Sequence, residues 1–547
     1  MKQIACTVIV VLFLFGCSSG RKEENVRPVK NVIVMIPDGT SIGVVSAARW
    51  YMKYLGQGDR LNIDPYLCGT VSTFCSNAPI GDSAPTTSCY MTGIPMRKGY
   101  VATGSPVDSL NDLIPLDPFM AYQPLATVLE AARIVQKKST GLVVTCEFPH
   151  ATPADCSAHY YDRNNYPYIA SQMAHNRLDV MFGGGNNFVT PEIADFFKTD
   201  GTTLLQNDRE SFRNHSADGK MWALFEKTGH PYDLDRDTSK IPSLEEMTRK
   251  ALTRLSKNPN GFFLMVEGSH VDYAAHDNDA VACITEFLAF DKAVGAVMEF
   301  AHNNRETAVI ILPDHGNSGF TTGRRGCGSP SSSLADLFGV VAGYKKTAAG
   351  MEAILKETPP EQIKAVFEQY AGINVTDDEI LSIIHSKDYT MGDYTGTGNN
   401  QNMQYSIIQI MNSRTCFGFT SGQHTAEEVF LAAYHPYGDI PLGMHTNVEI
   451  NEYLCKVMGL DISLPELTRK IFAKHTEVCA DYPYTVSAND KFPILTVSRG
   501  QDTLTVPAFG SVAYLNHRPL DMGSVAVYMD KNSTFYLPAD ILKRIQW

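Results

Sequence analysis

Positive charge is scarce in this sequence. Its 46 Lys and Arg stand against 59 Asp and Glu, a formal net charge of −13. That balance argues against a nucleic-acid-binding surface. A local metal cluster can outweigh a diffuse negative field, so phosphorylated small molecules stay open as substrates. Beyond the N-terminus no apolar run approaches the length that crosses a bilayer. There is no Cys-x-x-Cys pair of the zinc-binding kind, no internal repeat and no low-complexity tract. What remains is ordinary for a folded protein. The chain has 547 residues, 44% apolar and 19% charged, enough for one large domain with insertions or for two or three domains.

The N-terminus reads as a targeting segment. Lys2 precedes an apolar run from Ile4 to Phe15, and Leu14-Phe15-Gly16-Cys17 resembles a bacterial lipobox. We expect residues 1–16 to be a signal peptide and Cys17 to carry lipid. Residues 17–29 then form a polar, flexible tether. The protein would be exported and membrane-anchored in the bacterial cell envelope, periplasmic or on the outer-membrane surface. Of 12 cysteines, ten remain once Cys6 and Cys17 are set aside. Export permits disulfides, but one sequence does not reveal their connectivity.

Short apolar runs recur along the chain: Val32–Ile36, Leu142–Thr145, Phe262–Val266, Val309–Leu312 and Val429–Ala433. Each is bounded by polar or turn residues, which predicts buried parallel strands in an α/β fold. Several end in Asp, Glu or His. In open α/β sheets functional groups collect at the carboxyl ends of strands, so one site is expected there. Two stretches look like additions. From about Gly326 to Thr420 a Gly/Ser-rich linker leads to a helical stretch near Pro360–Tyr370 and a Thr/Gly/Asn/Gln-rich loop at Gly392–Gln404. Past about Cys479, runs such as Ile494–Val497, Thr503–Val506, Val512–Leu515 and Val525–Met529 predict a small β module.

Ser83 lies in Gly81-Asp82-Ser83-Ala84-Pro85, and no Gly-x-Ser-x-Gly elbow surrounds it. Taken alone, Ser83 reads as the cap of a helix that stops at Gly93. As a nucleophile it would need a base or a metal ion to lower its pKa. Asp38 in Pro-Asp-Gly and the pair Asp314-His315 each follow an apolar run, and each alone reads as a turn. Asp272 and His276 would share one helix face at i and i+4, with Glu267 before the helix. Asp277 and Asp279 read as a solvated acidic segment. His424 alone carries little weight. Carboxylate and imidazole together are common zinc ligands.

These pieces, in this order, resemble the alkaline phosphatase family of the two-zinc, one-magnesium type. The matching segments are Pro-Asp38-Gly, Asp82-Ser83-Ala84, His150-Ala-Thr152-Pro, Arg163, Asp179–Gly185, Glu267-Gly, Asp272, His276, Asp314-His315 and His424-Thr-Ala. The resemblance covers roughly residues 30–440. It implies a mostly parallel central sheet flanked by helices, a catalytic domain at 30–475 with a crown-like insertion at about 326–420, and a C-terminal β module at 476–547. It implies a first Zn²⁺ held by Asp272, His276 and His424, and a second held by Asp38, Asp314 and His315 with the Ser83 oxygen. It implies Mg²⁺ held by Asp38, Thr152 and Glu267. Ser83 would be the nucleophile in phosphate monoester hydrolysis through a phosphoserine, and Arg163 would clamp phosphate oxygens. A homodimer is also implied.

Three positions depart from the family pattern. His150 stands where the bacterial prototype has a carboxylate, although vertebrate relatives also have His. Tyr273 stands where others carry Lys, His or Trp near the phosphate, so Tyr273 and His150 join Arg163 as substrate-side residues. Asn317 replaces a usual His. An imidazole at 150 could draw a transition metal in place of magnesium. Two rivals stand beside this expectation. One is a phosphodiesterase or nucleotide pyrophosphatase of the same superfamily, whose members use Thr and lack the third-metal trio. The other is a non-catalytic surface lipoprotein, in which gaps in the ligand set are expected.

Overall fold

In the computed structural model the apolar runs become strands of one ten-stranded sheet. The structure describes residues 25–216, 218–391, 401–487, 492–545 and 547. The expected signal peptide, the Cys17 lipidation site and most of the Gly392–Gln404 loop lie outside the described residues. The first eight strands are β1 (Asn31–Pro37), β2 (Leu67–Ser72), β3 (Ser139–Glu147), β4 (Val180–Gly184), β5 (Thr203–Gln206), β6 (Met221–Leu224), β7 (Phe262–Gly268) and β8 (Thr307–Ile311). Four short strands follow: β9 (Gly316–Asn317), β10 (Thr321–Thr322), β11 (Phe417–Gly418) and β12 (His424–Thr425). The large sheet is completed by β13 (Val429–Tyr434) and β14 (Gly443–Thr446), in the order β14-β2-β13-β8-β1-β7-β3-β4-β6-β5.

All neighbours in this sheet are parallel except at β13, which runs antiparallel to both β2 and β8. This corrects the expectation of a parallel strand there. A continuously buried run looks the same in either direction, because burial does not record the polarity of the hydrogen-bond ladder. Helices cover both faces. Along β1, Val32, Val34 and Ile36 enter one core while Ile33 and Met35 enter the other, the period of two that a strand imposes.

The two added stretches lie on opposite faces. Phe338, Met351, Phe367 and Ile407 of the 326–420 insertion pack into the Ile33/Met35 core. Val497, Leu504, Val506 and Ala513, from a five-stranded antiparallel sheet over residues 484–521, pack into the Val32/Ile36 core. The expected strand at Val525–Met529 is shorter, Val527–Met529, and belongs to a separate three-stranded sheet. The insertion leaves the body through a narrow stem. From the inside outward, β9 pairs with β12, β10 pairs with β11, and Cys327 is disulfide-bonded to Cys416. The other cysteines among the described residues are free.

Candidate active site

Three adjacent parallel strands deliver the centre of the site. The register pairs Ile36 of β1 with Glu267 of β7, and Met35 of β1 with Ile311 of β8. Asp38, Glu267 and the Asp314-His315 pair therefore emerge side by side at carboxyl ends. All four are completely buried. Gly39 makes the crowding possible. Its φ is +57°, and a Cβ there would lie 2.2 Å from Oδ1 of Asp272.

Ser83 begins the helix Ser83–Thr92, but it is not the cap. Asp82 holds the extended N-cap position and Gly93 ends the helix with φ +77°. The Ser83 hydroxyl, 1% exposed, is thereby free of capping duty. It lies 3.3 Å from Nε2 of His315. The helix Ala151–Ser157, entered from β3, supplies Thr152, whose Oγ1 is 3.4 Å from Oδ2 of Asp38.

Asp272 and His276 share one face of the helix His270–Asp277, as their spacing predicts. His424 arrives from the far side of the insertion, because β12 sets it opposite Asn317 of β9. Its ring stacks on His315 with centroids 3.7 Å apart. Asn317 donates to Oδ1 of Asp272 at 2.7 Å and so fixes that carboxylate.

The imidazoles report what the cluster is built to hold. Nδ1 of His276 is 2.9 Å from the Gly422 carbonyl, and Nδ1 of His424 is 2.9 Å from the Gly81 carbonyl. A carbonyl only accepts, so each Nδ1 carries the hydrogen and each Nε2 presents a lone pair. Those two Nε2 atoms lie 3.0 Å apart, with Asp272 oxygens 3.4 and 3.7 Å away. Nδ1 of His315 likewise faces the Gly316 carbonyl at 3.2 Å. Its Nε2 points at Oδ1 of Asp38 (3.4 Å) and Oδ2 of Asp314 (3.6 Å). Acceptors converging on acceptors are repulsive unless a cation lies among them.

The carboxylates agree. Asp38 Oδ1, Glu267 Oε1 and Asp314 Oδ2 are buried with no hydrogen-bond partner. Burial, then Asp314, Asp272 and Glu267, raise the Asp38 carboxyl well above its ordinary range. Burial, then Asp314, push Glu267 up to about 8. Burial raises Asp314 too, with His315 opposing it. Burial also pulls on Asp272, but His315, His276 and His424 overcome it and hold the group below its usual value. Acidic groups this crowded keep their protons until divalent ions displace them. Three donor groups satisfy that description: Asp272/His315/His424, Asp38/Asp314/His315 and Cys146/His150/Glu267. The donor chemistry fits divalent metal ions, with His315 rather than His276 grouped with Asp272 and His424.

Cys146 was not expected. It ends the buried core of β3, and its Sγ lies 3.6 Å from Oε2 of Glu267. Its only sequence signal is that it follows an apolar run. Of Asp277 and Asp279, only Asp279 departs from expectation. Asp277 is exposed, but Asp279 is buried. It caps the helix Ala280–Asn304 and accepts the Ala348 amide at 2.8 Å.

On the substrate side, Nη1 of Arg163 donates to Asp82 at 3.2 Å and Nη2 donates to Nε2 of His150 at 3.0 Å. Burial and then Arg163 push His150 down to about 3, so it stays a neutral acceptor. The Tyr273 ring stands 5.7 Å from that of His150. The guanidinium is thus braced on two sides, with its remaining donors available to an anion.

Residues 29–460 match the family model for alkaline phosphatase. The chain is 33% identical to alkaline phosphatase 4 of Bacillus subtilis (strain 168), over 80% of this chain and 90% of that one. Its fold is similar to the crystal structure of Thermus thermophilus alkaline phosphatase, with a TM-score of 0.68 and 24% identity over 83% of this chain and 98% of that one. It is also similar to an alkaline phosphatase from the Antarctic bacterium TAB5, at TM-score 0.55 and 23% identity, covering 80% of this chain and 100% of that one. In that variant a histidine is changed to aspartate and Mg is bound in the M3 site.

Proposed function

This chain belongs to the alkaline phosphatase family and hydrolyses phosphate monoesters, and we propose that it does so with Ser83 as nucleophile in an exported, lipid-anchored homodimer. Enzymes of this family use metal ions. Asp272, His276 and His424 would hold one Zn²⁺. Asp38, Asp314 and His315, with the Ser83 oxygen, would hold the other. Asp38, Thr152 and Glu267 would hold the third ion. Cys146 adds sulfur to that third set, and His150 would add nitrogen only when its ring no longer accepts from Arg163; either donor favours a transition metal over Mg²⁺. When bound, such ions supply Lewis-acid charge that favours a serine alkoxide and offsets the phosphate dianion.

The chain's own residues do the rest. Arg163, steadied by Asp82 and His150, receives two phosphoryl oxygens in its planar fork. The free amides at the start of the Ser83 helix face the same anion. Ser83 Oγ attacks phosphorus in line, the P–O bond to the alcohol breaks, and the alcohol leaves with a proton. Water then attacks the phosphoserine, releasing phosphate and restoring the hydroxyl. The observation that carries this reading is the buried Ser83 hydroxyl beside the lone pair of His315, at the edge of three converging imidazoles. The test is Ser83→Ala, with acid-quenched labelling by a radioactive phosphate ester. Loss of turnover together with loss of the trapped phosphoserine is expected. Retained turnover, or faster cleavage of a diester by the unaltered enzyme, would overturn the reading.

A further inference from the structure

A cavity of about 870 Å³ opens beside the metal-ligand cluster, with His276 in its wall. A row of rings leads into it. His150, which accepts from Arg163, stands 5.7 Å from Tyr273. Tyr273 is 5.1 Å from His270, and His270 is 5.6 Å from Tyr232. Tyr273, His270 and Tyr232 all line the cavity. The insertion closes the opposite side. Ala349, Ala353 and Ile354 of its helix Ala348–Leu355 line the space, and Ala349 and Ala353 share a face at i and i+4. The result is a slot between an aromatic wall and a wall of small aliphatic side chains.

The slot is pre-formed. Asp279 accepts the Ala348 amide, and Asp235 accepts both the amide and the hydroxyl of Thr347. A Cβ on Gly350 would lie 2.2 Å from Asp235, so the helix is seated as close to that loop as its backbone allows. Its position relative to the reaction is equally defined. Ser83 touches His315, His315 stacks on His424, and His424 meets His276. His276 is thus two ring contacts removed from the imidazole that Ser83 touches, and in-line attack by Ser83 on an ester lying along this row would leave the departing oxygen on the His276 side.

We propose that this cavity is the leaving-group subsite and that it selects monoesters whose alcohol carries a flat aromatic or heteroaromatic ring, such as the nucleoside of a nucleoside 5′-monophosphate. The inference rests on the Ser83 reading of the site. Ring faces on one side and methyl groups on the other bury a planar group well, and the volume lies in the range of small-molecule pockets. Glu147, Asp235 and Asp277 line the cavity against one ammonium, Lys346. A leaving group with further negative charge is disfavoured, so the subsite suits a neutral nucleoside rather than a second phosphate.

Adenosine 5′-monophosphate and ribose 5-phosphate break the same primary ester bond and differ only in the base, so they separate binding from leaving-group chemistry. We expect kcat/KM to be about tenfold higher for the nucleotide, expressed in KM, from one stacked ring. Ala353 is exposed, so Ala353→Trp fills the slot without burying a new side chain in the core. That variant should lower kcat/KM for the nucleotide to near the value for ribose 5-phosphate, while changing ribose 5-phosphate far less. Free adenosine should compete with ribose 5-phosphate in the unaltered enzyme and not in the variant. Equal kcat/KM for the two substrates in the unaltered enzyme, or a parallel change for both in Ala353→Trp, would overturn the subsite. Turnover of neither substrate would instead overturn the phosphomonoesterase reading beneath it.

Discussion

The insertion and the C-terminal strands both look like attachments to a catalytic body, yet they reach the site from opposite sides and in different ways. The insertion builds space, since its helix Ala348–Leu355 supplies one wall of the cavity beyond His276. The C-terminal part removes freedom. Asp530 accepts from the hydroxyls of Tyr160 and Tyr161 at 3.1 and 2.9 Å, just ahead of Arg163, and Phe509 stacks on Tyr168 just behind it, 4.2 Å between centroids. One attachment shapes what the ester's alcohol can be. The other holds the arm that carries Arg163, the residue proposed to grip the phosphate that every substrate shares. Changes on the insertion side should discriminate among substrates, and changes on the C-terminal side should not.

The largest effect would erase this contrast altogether. Chelation should abolish turnover of every monoester, because both sides serve the same charged centre. It should also change the pH dependence of stability. In the metal-free protein Glu267 holds its proton up to about 8, against 4.5 ordinarily. That raised value stabilises the folded state below about pH 4.5, and the contribution is lost as pH rises through about 8. The Tm of chelated protein should therefore fall further below that of loaded protein at pH 9 than at pH 5. A gap that narrows with pH would contradict the burial of this carboxyl.

Arg163→Ala comes next, with kcat/KM reduced on the order of a hundredfold or more. The loss should be equal for adenosine 5′-monophosphate and ribose 5-phosphate, and unequal losses would break the division between the two sides. Asp530→Ala should do the same thing gently. It removes two partly exposed hydrogen bonds, so a rise of about threefold in KM, and in the inhibition constant of inorganic phosphate, is expected for all substrates alike. A substrate-selective response would place the C-terminal part with the insertion. The smallest kinetic effect is assigned to Cys146→Ala. Elemental analysis should find the third ion shifted from transition metal toward magnesium, with little change in substrate preference. Unchanged metal content would remove Cys146 from the third set.

Much of the site was legible in the sequence because Asp38, Glu267 and Asp314 close apolar runs and Ser83 and Thr152 stand at the start of helices. A polar residue at the end of a buried strand has few places to go. The pair Asp272 and His276 was legible from helical spacing alone. Other parts were hidden for physical reasons. His424 is brought to His315 by two-residue strands too short to leave a pattern. The reversal of β13 does not alter which side chains are buried. Cys146 looks like any buried thiol until Glu267 is beside it. The cavity draws its walls from several separated segments, so no local stretch encodes it. The capping reading of Ser83 failed by one residue: Asp82 takes the cap, and the serine next to it is left with a hydroxyl to use.

The stem of the insertion carries a consequence for how this enzyme can change over evolutionary time. Two short pairings and the Cys327–Cys416 crosslink fasten the insertion where it leaves the body; His424 lies within the innermost pairing and His315 stands just inboard of it. The exposed surface outboard of the crosslink, Ala353 among it, can vary without disturbing the stacking of those two rings, while Phe338, Met351, Phe367 and Ile407 stay tied to the core they share with β1. Variation confined to that surface would retune the menu of alcohols while the hydrolytic engine runs on.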